Sequence, residues 1–122
     1  MSDFRNLKVW QKAHVMALGT HRLAGRLRGT QVTALKTQMT RAAMSVPTNI
    51  VESRGQASRK ESARFLRIAI NSTTELEYHL IVAHDLKAIS STDCDTLTEQ
   101  LTEIRKMIYG MLRHLSAEDG KA

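Results

Sequence analysis

Apolar side chains recur three and four positions apart through four stretches of the chain, and strict alternation of the kind a strand needs is absent. The first stretch predicts a helix over about 7–27, with Asn6 as its N-cap, Phe4 just outside it, and Val9, Ala13, Met16, Leu23 and Leu27 as one buried stripe. Trp10 lies beside that stripe and reads as an anchor. The second predicts a helix over about 31–53, with Val32, Leu35, Met39, Ala42, Val46 and Ile50 inward. Pro47 falls inside it and removes one backbone hydrogen bond, which predicts a kink and not a break, because the apolar spacing continues to Ile50. A second stripe of the same helix, Ala34, Gln38, Arg41, Ser45, Thr48 and Glu52, is small and polar. It suits a close seam with another helix or subunit.

The third helix, about 59–87, buries Leu66, Ala69, Thr73, Leu76, Leu80 and Ala83. In the fourth, about 92–115, Cys94, Leu97, Leu101, Ile104, Ile108, Met111 and Leu115 keep a strict seven-residue repeat, the geometry of left-handed bundle packing. The polar tail 116–122 is expected to fray. The joints are short. Arg28-Gly29-Thr30 offers a glycine after one helix and a capping threonine for the next, and Ile89 to Asp93 form the last turn. Ser58 and Glu61 are spaced as a capping box, and Gly55 is placed to end the second helix in the left-handed conformation. These elements predict a single domain over 1–122, all-α, an up-down-up-down antiparallel four-helix bundle.

Charge sharpens the picture more than composition does. Residues 1–67 carry thirteen Lys and Arg against Asp3, Glu52 and Glu61, a net of +10; residues 68–122 carry five against nine acids, a net of −4. The basic half is suited to a polyanion, nucleic acid above all. The alternative is that the two halves attract each other or a neighbouring subunit. A cluster of Arg54, Arg59, Lys60, Arg64 and Arg67 sits at the tip of the second hairpin and down its outer side, and Lys12 with Lys8, Arg22, Arg26 and Arg28 makes the first helix basic. Such a patch grips phosphates with little sequence readout. One cysteine, Cys94, allows no internal disulfide, and no apolar run reaches membrane-spanning length. A cytoplasmic protein without membrane contact is expected.

Catalytic and metal chemistry find little support. A di-iron bundle needs Glu-x-x-His on two helices, whereas Glu75 and His79 are four apart and have no second copy. His14 and His21 share a face of the first helix but lack a third ligand. Cys94 reads as a small buried hydrophobe. There is no nucleophile elbow, P-loop or dinucleotide fingerprint. No enzymatic activity, metal or cofactor is expected. With Leu66 as zero on the third helix wheel, Ile68, Tyr78 and Val82 fall opposite the core, at about 120–200°, an outer apolar stripe that predicts a homo-oligomer interface. Glu77 falls at about 20°, on the core side, where it requires a partner from another helix; Arg41 and His14 are the expected ones.

Several motifs in order resemble a known family. Phe4 with Leu7-x-Val9-Trp10-x-Lys12-Ala13 resembles its opening. Gln38-x-x-Arg41-Ala42-Ala43-x-Ser45-Val46-Pro47-x-Asn49-Ile50-x-Glu52 resembles its second helix, and Ser58-x-Lys60-Glu61, Phe65-Leu66-x-Ile68-Ala69 and Ser72-x-x-Glu75-Leu76-Glu77 its third. The sequence is similar to the four-helix bundle family of 23S rRNA intervening-sequence proteins, related to the accessory variability determinant of diversity-generating retroelements. The similarity covers about residues 4–90. It departs from the pattern at Ser53, where the family has glycine, and at Val51, where alanine is common. The resemblance implies a homo-oligomer, a pentameric ring of bundles, with a basic surface for RNA or DNA; the retroelement relatives assist a reverse transcriptase, which makes such an enzyme a partner protein to consider. Two functions follow: an oligomeric nucleic-acid-binding accessory protein, or a structural scaffold whose basic half docks an acidic partner.

Overall fold

Four amphipathic helices, each with one apolar stripe, bury those stripes against one another. The computed structural model describes residues 3–121. The helices are α1 (Lys8–Gly25), α2 (Thr33–Arg54), α3 (Arg59–Asp85) and α4 (Ser91–Lys121). Short 3-10 turns at Phe4–Asn6 and Thr30–Val32 precede α1 and α2. Each helix packs against the next, and α4 packs back against α1, so the sequence order is also the order around the bundle. Among the described residues there is no strand, and no helix is long and apolar enough to cross a membrane.

The expected stripes form the core. Val9, Ala13 and Met16 of α1 meet Met39, Ala42, Val46 and Ile50 of α2, Leu66, Leu76 and Leu80 of α3, and Leu97, Leu101, Ile104 and Ile108 of α4 in one buried cluster. Trp10 packs half-buried against it, as an anchor does. α2 runs unbroken through the buried Pro47. Leu35, Cys94, Met111 and Leu115 lie at the edge of the cluster and not inside it.

The helix ends differ more from expectation. Asn6 is not the N-cap of α1: it closes a 3-10 turn that Asp3 caps by accepting from the Arg5 N–H, and Leu7 stands at the cap position without a side-chain bond. That Arg5 N–H, together with the Arg5 guanidinium, holds the Asp3 carboxyl below its ordinary value. Thr30 likewise opens a 3-10 turn, and Val32 precedes α2. Gly29 does take the left-handed region, at φ 108°, whereas Gly55 ends α2 at φ −90°. α3 stops at Asp85 through a Schellman arrangement in which Ala88 N–H reaches the Ala83 carbonyl (2.8 Å) and Lys87 N–H reaches that of His84 (2.9 Å). Lys87, at φ 60°, supplies the left-handed residue where glycine is usual, so no glycine marks this stop in the sequence. α4 is helical to Lys121, so the tail expected to fray continues the helix over 116–121; Ala122 lies outside the described residues.

α2 and α3 meet along hydroxyls. Ser53, buried to 3% exposure, bonds both the carbonyl (3.0 Å) and the hydroxyl (2.7 Å) of Ser62, and the Ser62 hydroxyl reaches back to the Ser53 carbonyl (3.0 Å). Farther along, Ser72 donates to Ser45 (2.8 Å), which also accepts from Asn49 (3.0 Å). Small side chains let the two backbones approach, and each hydroxyl bonds across the gap. The small polar stripe of α2 is thus used inside the chain, at Arg41 and Ser45.

The polar pairs on α3 correct the expected one. Arg41 does not meet Glu77; it bonds Glu75, across the α2–α3 seam. Glu77 instead receives Arg105 of α4 (2.6 Å), whose Nε donates to the buried Thr73 hydroxyl (2.9 Å). His14, the other expected partner, stacks on Trp10. The reason is angular. The buried residues of α3 centre at about 310° on the wheel, not at Leu66, so Glu77 faces α4 while Glu75 lies toward α2. With Glu77 at 33% and Arg105 at 23% side-chain exposure, the pair sits between the surface and buried regimes. Glu77→Ala is therefore expected to cost about 1–2 kcal/mol, read as a lowered urea midpoint at fixed protein concentration; a loss below about 0.3 kcal/mol would place Glu77 in effect in solvent.

Candidate nucleic-acid interface

The tip of the α2–α3 hairpin is built around Ser58, whose hydroxyl accepts the Glu61 N–H (3.1 Å) and starts α3. The Glu61 carboxylate turns to Arg64 Nε (3.0 Å), and the Arg64 guanidinium lies over the Phe65 ring, 4.5 Å from its centre. This fixes Arg64 along the outer side of the helix. Lys60, Arg64 and Arg67 are exposed together there. Among the described residues neither Lys60 nor Arg67 pairs with an acid. Arg54 and Arg59 line, together with Leu7, Leu66, Met107 and Met111, a cavity of about 660 Å³ at this end of the bundle. Both have contacts within the chain.

Lys12 does not join this group. It pairs with Glu103 of α4 (2.9 Å), in a separate groove between α1 and α4 lined by Lys8, Gln11, Val15 and Gln100. Farther along α1, Arg26 meets Asp93 of α4 (3.3 Å). Together with Arg41–Glu75, these ion pairs join the basic half to the acidic half, as the alternative reading of the charge asymmetry expects. Of the remaining cations of the first half, Arg54, Arg59, Lys60, Arg64 and Arg67 gather at and beside the hairpin tip, while Lys8 and Arg22 line the grooves between α1 and α4. No Asp or Glu occurs between Asp3 and Glu52 to offset them.

The outer apolar stripe is only partly outward. Tyr78 is 63% exposed, whereas Ile68 and Val82 are half-buried. Ile81, 46% exposed, belongs with Tyr78 and was missed, because the wheel centred on Leu66 placed it beside the core. Met44 on α2 and Val15 on α1 are also exposed. Desolvation pushes the Cys94 thiol up, and its Sγ lies against the Leu80 carbonyl (3.8 Å), which disfavours the thiolate that nucleophilic chemistry needs. Among the described residues no three His, Cys, Asp or Glu side chains converge as a metal site.

The chain as a whole has known counterparts. The family model described as 23S rRNA-intervening sequence protein matches residues 5–110. The chain belongs to this family. Within solved structures, it is similar to a protein of unknown function from the S23 ribosomal protein family of Bacteroides thetaiotaomicron, 25% identical over 85% of this chain and 97% of that one, with a TM-score of 0.80. No curated protein matches it. Membership in the 23S rRNA-intervening sequence family accounts for the ordered motifs of the first three helices. The family match reaches Gly110, well into α4, farther than the similarity seen in the sequence itself.

Proposed function

We propose that this intervening-sequence protein is a non-enzymatic accessory protein that works as a homo-oligomer and holds RNA or DNA by its phosphates. The supporting observation is the outer side of α3 near the hairpin tip, where Lys60 and Arg67 are exposed without an acid partner among the described residues and Arg64 is braced beside them. Arg54 and Arg59 extend the same basic end. A cytoplasmic location fits the free Cys94. A protein partner that itself handles nucleic acid, such as a reverse transcriptase, is compatible with such a role. Binding of labelled RNA or DNA, followed by anisotropy from 50 mM salt upward, is expected to weaken steeply and log-linearly with salt and to depend little on sequence. Failure to bind either at low salt would remove this reading.

The second reading, a scaffold docking an acidic protein, draws on Lys12–Glu103, Arg26–Asp93 and Arg41–Glu75, which show the basic half already serving carboxylates. Self-association is common to both readings. Tyr78 and Ile81 leave apolar area on α3 that a second copy is suited to cover, with a pentameric ring favoured by the resemblance. Light scattering is expected to return several times the chain mass of 13.7 kDa; a monomer at tens of micromolar overturns it.

A further inference from the structure

We propose that the Trp10–His14 stack on α1 is a seat for an unpaired nucleobase, so that the protein prefers single-stranded to duplex nucleic acid. The inference rests on the phosphate-binding reading above and adds a second, chemically different contact to it. Trp10 packs half-buried against the core. One helical turn on, the His14 ring lies parallel to it, 4.9 Å between centroids and 8° between planes. Phe4 meets Trp10 edge-on, at 5.0 Å and 70°, and the Arg5 guanidinium lies 5.7 Å from the Phe4 ring centre. The result is an aromatic cluster packed against the core through Trp10, with His14 as its exposed member. Exposed, pre-ordered rings of this kind are what unpaired bases stack on, and every base has a suitable face.

The surroundings favour a polyanion. α1 and α2 contribute no carboxylate before Glu52, and the acids that face α1 from α4, Glu103 and Asp93, are on the groove side, bonded to Lys12 and Arg26. His21, two turns on from His14, is exposed on the same side of α1, whereas Gln11 and Arg22 line the grooves toward α4. The cluster also lies toward the basic end of the bundle. Leu7, just before α1, lines the same cavity as Arg54 and Arg59, and His14 is seven residues on, about 10 Å along the axis. A strand with one base on His14 reaches the hairpin cations within a few nucleotides. A duplex keeps its bases stacked internally and cannot use the seat.

The test uses a labelled oligothymidylate and a mixed-sequence duplex of equal length, at matched salt, with the whole protein. The single strand is expected to bind more tightly than the duplex. It is also expected to quench the emission of Trp10, the only tryptophan of the chain. His14→Ala is expected to weaken single-strand binding by about tenfold or more and leave duplex binding unchanged, while His14→Phe retains it. His14 is exposed, so helical content measured by circular dichroism is expected to be that of the parent. Single-strand affinity unaltered in His14→Ala, or a duplex bound as tightly as the single strand, overturns the nucleobase seat while leaving phosphate binding in place. Binding of neither probe removes both.

Discussion

Replacing Lys60, Arg64 and Arg67 together by alanine is expected to lower affinity for RNA and DNA on the order of 10²–10³-fold at 50 mM salt. The slope of log affinity against log salt is expected to flatten by about 2.7 on duplex DNA for three phosphates, and by about 2.1 on a single strand. The three side chains line one exposed side of α3, and Arg64 is held there by Glu61 and Phe65, so little conformational freedom is lost on binding. Removing Arg64 also frees the Glu61 carboxylate at the tip, which adds repulsion to the lost attraction. In an oligomer the patch recurs on every copy, so the loss compounds through multivalency. Unrelated sequences are expected to lose affinity about equally, because phosphates carry no sequence information. Unchanged affinity and slope, with helicity and oligomer intact, would mean that these cations only solubilise the bundle or meet a neighbouring subunit.

Leu76→Ala is expected to be the most damaging simple truncation on α3, at about 3–4 kcal/mol. Leu76 has no exposure and lies mid-helix within the buried cluster, so the atoms removed leave a cavity that rigid neighbouring helices fill poorly. For a chain of this size the melting temperature is expected to fall by about 10 °C or more. Leu86→Ala is the matched control: the side chain is 55% exposed beyond the end of α3, and a change within about 0.5 kcal/mol is expected. Both are compared at one protein concentration, since self-association contributes to apparent stability. Equal losses at the two positions would show that burial in the isolated chain is a poor guide to the assembled protein.

The fold was legible because burial has a period. Val9 to Leu27, Leu66 to Ala83 and Leu97 to Ile108 each repeat at three and four, and each packs inward as that spacing requires. Helix ends were less legible. Asn6 and Thr30 are good caps by residue type, yet 3-10 turns intervene, and Lys87 takes a conformation that residue type gives no reason to expect. The candidate site divides the same way. Lys60, Arg64 and Arg67 are neighbours because they share one side of one helix, which periodicity alone determines. Lys12 needs knowledge of which helix lies alongside α1, and that helix proved to carry Glu103. Arg41 and Glu77 failed for a finer reason. A zero point about 50° from the true centre of the buried arc is enough to send Glu77 to the wrong neighbour. The Trp10–His14 stack, by contrast, is an i,i+4 pair that spacing permits, and what the sequence lacks is any sign that the rings lie parallel.

The serine contacts between α2 and α3 bear on the order in which the bundle comes apart. Ser53–Ser62 and Ser45–Ser72 fasten two long helices joined by a short link, so this hairpin has both close backbone packing and bonds that shrinkage of a side chain does not loosen. α1 and α4 meet differently, across open grooves of about 330 and 260 Å³ bridged by exposed ion pairs. Amide hydrogens along the inner faces of α2 and α3 are thus expected to exchange only when the whole molecule unfolds, and those of α1 and α4 to escape earlier, through partial openings. The basic tip belongs to that pair, so its cations are expected to ride on the part of the molecule that lets go last.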